Sequence, residues 1–179
     1  MKKKIILFSL LLLGIILTGC SFNNTPKAKV ETVLMKYQKN SDSVMNELND
    51  YLNTLNIPKD SYEEYKKIYT KQSTDLKYEI KDELIDGDTA TVTAQIDVYD
   101  YYKIENDVTK YVADNPDKFS TNNVYDSAKV LEYKIDKLNN AKDRVTYTIT
   151  FNLTKVDNEW TVDNLSNEEL EKIHGIYAH

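Results

Sequence analysis

Glycine, histidine and arginine are scarce in this chain of 179 residues, and each scarcity excludes a class of site. Only four glycines occur, whereas phosphate-cradling loops and dinucleotide-binding fingerprints need several of them for close approach of the backbone. The two histidines, His174 and His179, are among the last residues of the sequence. The chain therefore lacks the pattern of a nucleotide-binding enzyme, and also that of a metal centre or a Ser-His-Asp triad.

The charge balance argues against a nucleic-acid partner. Twenty-three Lys and Arg residues stand against 29 Asp and Glu residues, which gives a net charge of −6, and Arg144 is the only arginine. Nucleic-acid binding needs clustered basic side chains, so we expect none. Asp86 and Asp88 flank a glycine without the ordered ligand spacing of a calcium loop. We interpret them as a turn, and we expect neither a metal nor a cofactor.

The first twenty residues have the pattern of an export signal. Three lysines, Lys2–Lys4, precede an apolar run from Ile5 to Leu17, and Leu17-Thr18-Gly19-Cys20 closes it. A bilayer core needs about 20 helical residues, so this run is too short for an ordinary membrane span. A basic start, a short apolar middle and small residues at the end are typical of a cleaved signal peptide, here residues 1–19.

The four residues that end this segment resemble the lipobox of bacterial lipoprotein precursors. The resemblance implies that the thiol of Cys20 receives a diacylglyceryl group and that a peptidase cuts before it. Two acyl chains hold a protein stably on a membrane, whereas one does so only reversibly. The resemblance therefore implies a lipid-anchored protein on the extracytoplasmic face of a Gram-positive-type cell membrane, with membrane lipid as its partner through Cys20.

Processing at Cys20 would change the rest of the chain in two ways. Cys20 is the only cysteine, so the mature chain would hold no free thiol and no disulfide. Loss of Lys2–Lys4 would leave 20 basic against 29 acidic residues, a net charge of −9. We expect residues 20–25 to be the lipidated cysteine and a short tether, and residues 26–179 to form one domain large enough for a single core.

Helical periodicity dominates the first part of this domain. Thr25-Pro26 is an N-cap followed by proline at the first helical position, and two more amphipathic helices follow before residue 75. We place a capping box at Ser61–Glu64, at the start of the third helix. Further stripes predict helices over residues 104–115 and 124–138. A second capping box, Ser166–Glu169, starts a last helix that ends near Gly175.

Between these helices the apolar period changes to two. Asp86-Gly87-Asp88 and Asp157-Asn158 are turn sequences, and each joins two strands into a hairpin. The strands alternate apolar with polar residues, mostly threonine, as expected for an antiparallel sheet covered on one face. The four predicted strands lie at residues 76–84, 89–98, 145–154 and 160–162.

The element order predicts an α+β fold, in which a curved four-stranded antiparallel sheet packs on the N-terminal and inserted helices. Over residues 26–165 this order resembles the cone-shaped nuclear-transport-factor-two-like, or cystatin-like, fold found in small exported lipoproteins. The resemblance implies a concave sheet face. Such folds host enzymes, binding modules and structural domains alike, so the fold does not select a function.

The segment from Asp97 to Tyr102 is the most suggestive candidate site. By parity with Val98, Asp100 and Tyr102 would point to the concave side at the mouth of the cone, next to Tyr99. A buried carboxylate beside tyrosines can act as a general base. Alternatively, the strand ends at Tyr99 and Asp100 caps the next helix. We treat Asp100 as a catalytic candidate, and Tyr99 and Tyr102 as ligand-binding candidates.

Other residue patterns leave two interpretations open. The 14 tyrosines, mostly on apolar stripes, could line a polar pocket or bury their rings while their hydroxyls reach the edge of the core. The threonine face of the sheet could be solvated or could form an interaction surface. His174 could have a functional role. At the end of a helix, however, it is more simply interpreted as facing the negative end of the helix dipole.

These observations favour a non-enzymatic binding or interaction module of the cell envelope. Its partner would be an envelope protein or a small ligand. A first alternative is a small cone-pocket enzyme that uses Asp100. A second alternative is an immunity or accessory lipoprotein that captures an envelope-active molecule.

Overall fold

The computed structural model describes residues 24–55 and 57–179, so the predicted signal peptide and Cys20 lie outside the described residues. The elements follow the predicted order of three helices, a hairpin, two helices, a hairpin and a last helix. In addition, a 3-10 turn and two short strands lie between the fourth and fifth helices. The elements are α1 Pro26–Gln38, α2 Asp42–Thr54, α3 Lys59–Thr74, β1 Lys77–Asp86, β2 Thr89–Tyr99, α4 Tyr101–Asp114, β3 Ser120–Thr121, β4 Val124–Tyr125, α5 Ser127–Asn139, β5 Arg144–Val156, β6 Glu159–Val162 and α6 Asn167–His174.

The main sheet has the strand order β1-β2-β5-β6, and all its pairs are antiparallel. The α+β prediction with a four-stranded antiparallel sheet is thereby confirmed. Alternation along β2 and β5 puts their apolar residues on one face, where α1 covers them. This first core cluster includes Val30, Leu34, Tyr37, Val92, Ile96, Val98, Ile149, Phe151 and Trp160.

A second core cluster joins the helices to one another rather than to the sheet. It lies between α2, α3, α4 and the end of α5, where the helical stripes face each other. Its buried residues are Leu48, Leu52, Tyr65, Ile68, Tyr69, Tyr101, Leu138 and Ala141. Among the described residues, no helix is both long and apolar enough to cross a membrane.

Three element ends were predicted correctly from local chemistry. The hydroxyl of Thr25 accepts the backbone N–H of Ala28 at 3.1 Å, and α1 begins at Pro26. Ser166 and Glu169 form the reciprocal capping box that starts α6. Gly175 ends α6 with φ +71°, a left-handed conformation that favours glycine.

Three other local predictions were wrong. The third helix begins at Lys59, so Ser61 lies inside the first turn and does not cap it. Val124 belongs to β4, and α5 begins only at Ser127, where Asp126 is the N-cap. A register shift between Ile80 and Asp82 breaks the alternation of β1, so that the Leu84 side chain is 66% exposed rather than in the core.

Two residues of the predicted tether, Asn24 and Thr25, are bound to the folded domain. The side chain of Asn24 donates to the carbonyl of Asn158 at 2.8 Å and accepts from the backbone N–H of Trp160 at 3.1 Å. Thr25 is already the N-cap of α1. Asn24 and Thr25 are therefore part of the folded domain, held against the hairpin of β5 and β6.

Candidate functional site

A buried glutamine joins three elements at the end of β2. Gln72 of α3 is fully buried, and its Nε2 donates to the carbonyls of Tyr99 at 2.8 Å and His174 at 2.9 Å. Its Oε1 accepts the N–H of Tyr99 at 2.8 Å. Strand β1 begins only opposite Asp97, so the side-chain amide takes the place of a neighbouring strand beside Tyr99. All three buried backbone groups are thereby satisfied.

Gly175 allows α6 to approach this glutamine. A Cβ at Gly175 would lie 2.1 Å from the carbonyl oxygen of Tyr99 and 2.2 Å from Nε2 of Gln72. The carbonyl of Gly175 accepts the N–H of Tyr102 at 2.8 Å. Because only glycine fits this space, the end of α6 is fixed against α3 and the start of α4.

Helices α2 and α6 leave an open groove of about 720 Å³ between them, which we call the α2–α6 groove. Its lining comes entirely from these two helices and the residue that follows Gly175. The lining residues are Ser43, Asn46, Glu47, Asp50, Tyr51, Thr54, Asn167, Leu170, Glu171, His174 and Ile176. The cavity thus lies between two helices, and neither Asp100 nor Tyr102 is among its lining residues.

The apolar part of the groove is built around an aromatic stack. The rings of Tyr51 and His174 are stacked, with centroids 5.1 Å apart and planes at 17°. Tyr69 meets the His174 ring edge-on at 5.5 Å. Leu170 and Ile176 add aliphatic surface. This surface can bury an apolar portion of a ligand.

The polar part of the groove is acidic. Glu47, Asp50 and Glu171 line it, and none of its lining residues is Lys or Arg. Glu47 accepts a hydrogen bond from the hydroxyl of Tyr37 at 2.8 Å. Burial raises the pKa of Glu47, and the hydrogen bond from Tyr37 opposes that rise. The groove therefore favours a ligand with positive charge over an anionic one.

His174, which lines the groove, is buried and uncharged at neutral pH. It is 3% exposed, and its Nδ1 has no hydrogen-bond partner among the residues that the structure describes. Burial lowers the pKa of His174 to about 4. His174 is the last residue of α6, as predicted, but at neutral pH it places no charge at that helix end.

Asp100 is the N-cap of α4. Its carboxylate accepts the backbone N–H of Lys103 at 2.9 Å, and its second oxygen lies 3.4 Å from Nε2 of His179. Strand β2 ends at Tyr99, so the alternation does not continue and Tyr102 lies in the first turn of α4. The prediction that Asp100 and Tyr102 share the concave face of the sheet is therefore wrong, and the capping alternative describes Asp100.

Tyr99 serves as a structural contact rather than a cavity wall. Its hydroxyl donates to the carboxylate of Asp75 at 2.8 Å. The guanidinium of Arg144 and the ammonium of Lys71 each lie 4.8 Å from the centroid of its ring. Arg144, the only arginine of the chain, also forms an ion pair with Asp97 on the neighbouring strand β2. A hydrogen bond and two cation–π interactions thus hold Tyr99 in place.

Tyr102 is the one candidate of the three that borders a cavity next to the groove. This smaller cavity, of about 310 Å³, shares Tyr51 and Ile176 with the α2–α6 groove, and Tyr65 and Tyr69 also line it. Elsewhere tyrosine hydroxyls bind protein carbonyls, as Tyr101 does at Ile68. Some tyrosines therefore line a cavity, as one interpretation predicted, and others bury their rings while their hydroxyls bind protein groups, as the other predicted.

No family model matches the chain, and no curated protein or solved structure is significantly similar to it. Within residues 24–55 and 57–179, no group of His, Cys, Asp and Glu side chains is arranged to hold a metal ion. The function must therefore be inferred from the chain's own residues.

The burial of His174 predicts loss of stability in acid. With a pKa of about 4 in the folded state and about 6.5 in the unfolded state, His174 takes up a proton on unfolding between these values. Stability should therefore fall as pH falls through this window, by about 3 kcal/mol from this residue. Urea unfolding of the wild type and His174→Phe at pH 7 and pH 4 measures the difference.

We expect His174→Phe to lose less stability than the wild type between the two pH values. His179→Phe is the control, since it removes the more exposed histidine and should leave the wild-type acid sensitivity in place. If His174→Phe and the wild type lose stability in parallel, His174 is not buried in its neutral form.

Proposed function

We propose that this protein is a lipoprotein anchored through Cys20 to the extracytoplasmic face of the cell membrane, and that it is a non-enzymatic binding module. The lipobox-like residues 17–20 support the anchor. The α2–α6 groove is the observation that supports binding. Its volume of about 720 Å³ falls within the range of about 300–1,000 Å³ that is usual for ligand sites.

The chemistry of the groove suggests an amphipathic ligand with positive charge. Tyr51, Leu170 and Ile176 would contact its apolar part, and Glu47, Asp50 and Glu171 its cationic groups. A second cavity of about 460 Å³ shares Ser43, Glu47 and Leu170 with the groove and extends it from the start of α2 toward α1 and residues 162–165. This continuation suits an extended ligand such as a peptide segment.

The enzymatic alternative has less support. In that alternative Asp100 is the general base. Its carboxylate, however, already accepts the N–H of Lys103 and faces His179. Its position at the start of α4 accounts for it as a helix cap. The accessory or immunity alternative is a form of binding, and capture of an envelope-active cationic peptide would use the same groove.

The anchor predicts that Cys20→Ala changes the location of the protein. Without the thiol no diacylglyceryl group can be attached, so the variant should appear in the medium or accumulate as unprocessed precursor. Metabolic labelling with a fatty acid and cell fractionation measure this. Ser21→Ala is the matched control and should be labelled and membrane-bound. Acyl labelling that persists in Cys20→Ala would contradict the anchor.

The groove predicts that a basic amphipathic peptide binds residues 24–179 beside α2 and α6. The probe is acetyl-Lys-Leu-Lys-Leu-Lys-Leu-amide, and the comparison is the same peptide with Glu in place of Lys. In an NMR titration the amide shifts should cluster at α2 and α6 for the basic peptide and be weak for the acidic one, because the groove is acidic.

Two substitutions on α2 test the location of this binding. Asn46 lines the groove, whereas Asn53 is exposed on the same helix and is not among the lining residues. Asn46→Trp should fill the groove and abolish the shifts, and Asn53→Trp should preserve them. Shifts that map instead to the threonine face of the sheet would mean that the groove is not the binding site.

A further inference from the structure

One end of the molecule gathers both hairpin turns and the start of α1. The carbonyl of Asp88 accepts the N–H of Lys155 at 2.8 Å, so the turn after β1 lies beside the end of β5. The backbone N–H of Lys27 donates to Glu83 at 2.8 Å. Asn24 is hydrogen-bonded to Asn158. We call residues 24–27, 83–89 and 154–159 the hairpin end.

Three large apolar side chains are exposed at the hairpin end. Leu84, Ile85 and Val156 are 66%, 53% and 57% exposed. Leu84 and Ile85 follow the register shift of β1. Leu84 is paired with Thr91 on the polar face of the sheet. Ile85 is paired with the buried Ala90, so the two side chains lie on opposite faces. All three side chains belong to the same end of the domain, where they are free to contact an apolar surface.

The chain leaves the domain at this same end. Only residues 21–23 separate Cys20 from Asn24, which is fixed to the second hairpin. At most about 3.5 Å per residue, these residues span about 14 Å from Cys20 to Asn24. An acyl group on Cys20 would therefore hold the hairpin end within this distance of the lipid surface.

The part of the α2–α6 groove formed by His174 and Ile176 lies near the other end of β2. Thr89 starts β2 at the hairpin end, and Tyr99 ends it beside Gln72 and His174. The ten residue steps between Thr89 and Tyr99 correspond to about 33 Å of strand. The end of α6 that borders the groove is thus separated from the hairpin end by the length of β2.

We infer that the hairpin end rests on the membrane that holds the anchor, with Leu84, Ile85 and Val156 in contact with lipid, and that the α2–α6 groove faces away from it. The inference rests on the proposed lipidation of Cys20. The hairpin end carries five acidic residues against two lysines, so anionic lipid would repel it and the contact depends on apolar side chains and on the tether. The acidic residues are Glu83, Asp86, Asp88, Asp157 and Glu159, and the lysines are Lys27 and Lys155. It should be closer on zwitterionic lipid than on anionic lipid.

Depth-dependent fluorescence quenching tests this orientation on the full processed chain in phosphatidylcholine vesicles. Mass spectrometry of the N-terminal peptide first establishes the acyl mass on Cys20, so that no native thiol reacts with the label. A polarity-sensitive NBD label is then placed through Asp88→Cys at the hairpin end or Asn46→Cys in the groove. Nitroxide-labelled phosphatidylcholine is the quencher.

We expect the label at position 88 to be quenched and its emission shifted to the blue, and the label at position 46 to be unaffected. Adding Leu84→Ser, Ile85→Ser and Val156→Ser should reduce the quenching at position 88. Val124→Ser with Tyr125→Ser is the matched control, since it removes exposed apolar side chains outside the hairpin end, and it should change nothing.

The outcomes separate this inference from the proposed function. Equal quenching at both positions, or stronger quenching at position 46, on an acylated chain overturns the orientation and leaves the anchored binding module standing. Quenching at position 88 that is unchanged by the three serine substitutions overturns the lipid contact of these side chains. Absence of the acyl mass overturns the anchor, and the orientation with it.

Discussion

The side-chain amide of Gln72 is the interaction on which the arrangement of this molecule depends. It makes three hydrogen bonds from a fully buried position, to both backbone groups of Tyr99 and to the carbonyl of His174. The helical cluster, the end of the main sheet and the end of α6 meet at this one side chain. A buried polar group left without a hydrogen-bond partner costs about 1–3 kcal/mol of stability. An apolar side chain at position 72 would leave the backbone groups of Tyr99 and His174 without their partner, so it cannot replace the amide.

The consequence is a domain with two distinct ends. At one end two hairpin turns and the start of α1 surround the point where the chain enters the domain. At the other, Gln72 and Gly175 set α6 at the position that leaves a groove beside α2. Anchoring and binding, as proposed, would then use different parts of the domain, the hairpin end and the α2–α6 groove, with the ligand site presented away from the lipid.

Sequence patterns predicted the elements whose determinants are local. The alternation of β2, the N-cap Thr25 and the capping box at Ser166 each depend on residues a few positions apart. The groove and the place of His174 depend on packing between distant segments, which no local pattern reports. The sequence does indicate that Gln72 is buried, since it follows Ile68 and Tyr69 at helical spacing on an apolar stripe. Its partner Tyr99 is distant in sequence, so the contact between them could not be predicted.

Hydrogen exchange in Gln72→Leu tests the central claim most directly, with Gln95→Leu on the polar sheet face as the control. If Gln72 holds α6 against the rest of the domain, the amides of α6 should lose protection selectively in Gln72→Leu, while those of the β2–β5 pair stay protected. Gln95→Leu should exchange like the wild type. Unchanged protection of α6 in Gln72→Leu would contradict the account, because the groove would then exist without the contact that is said to form it.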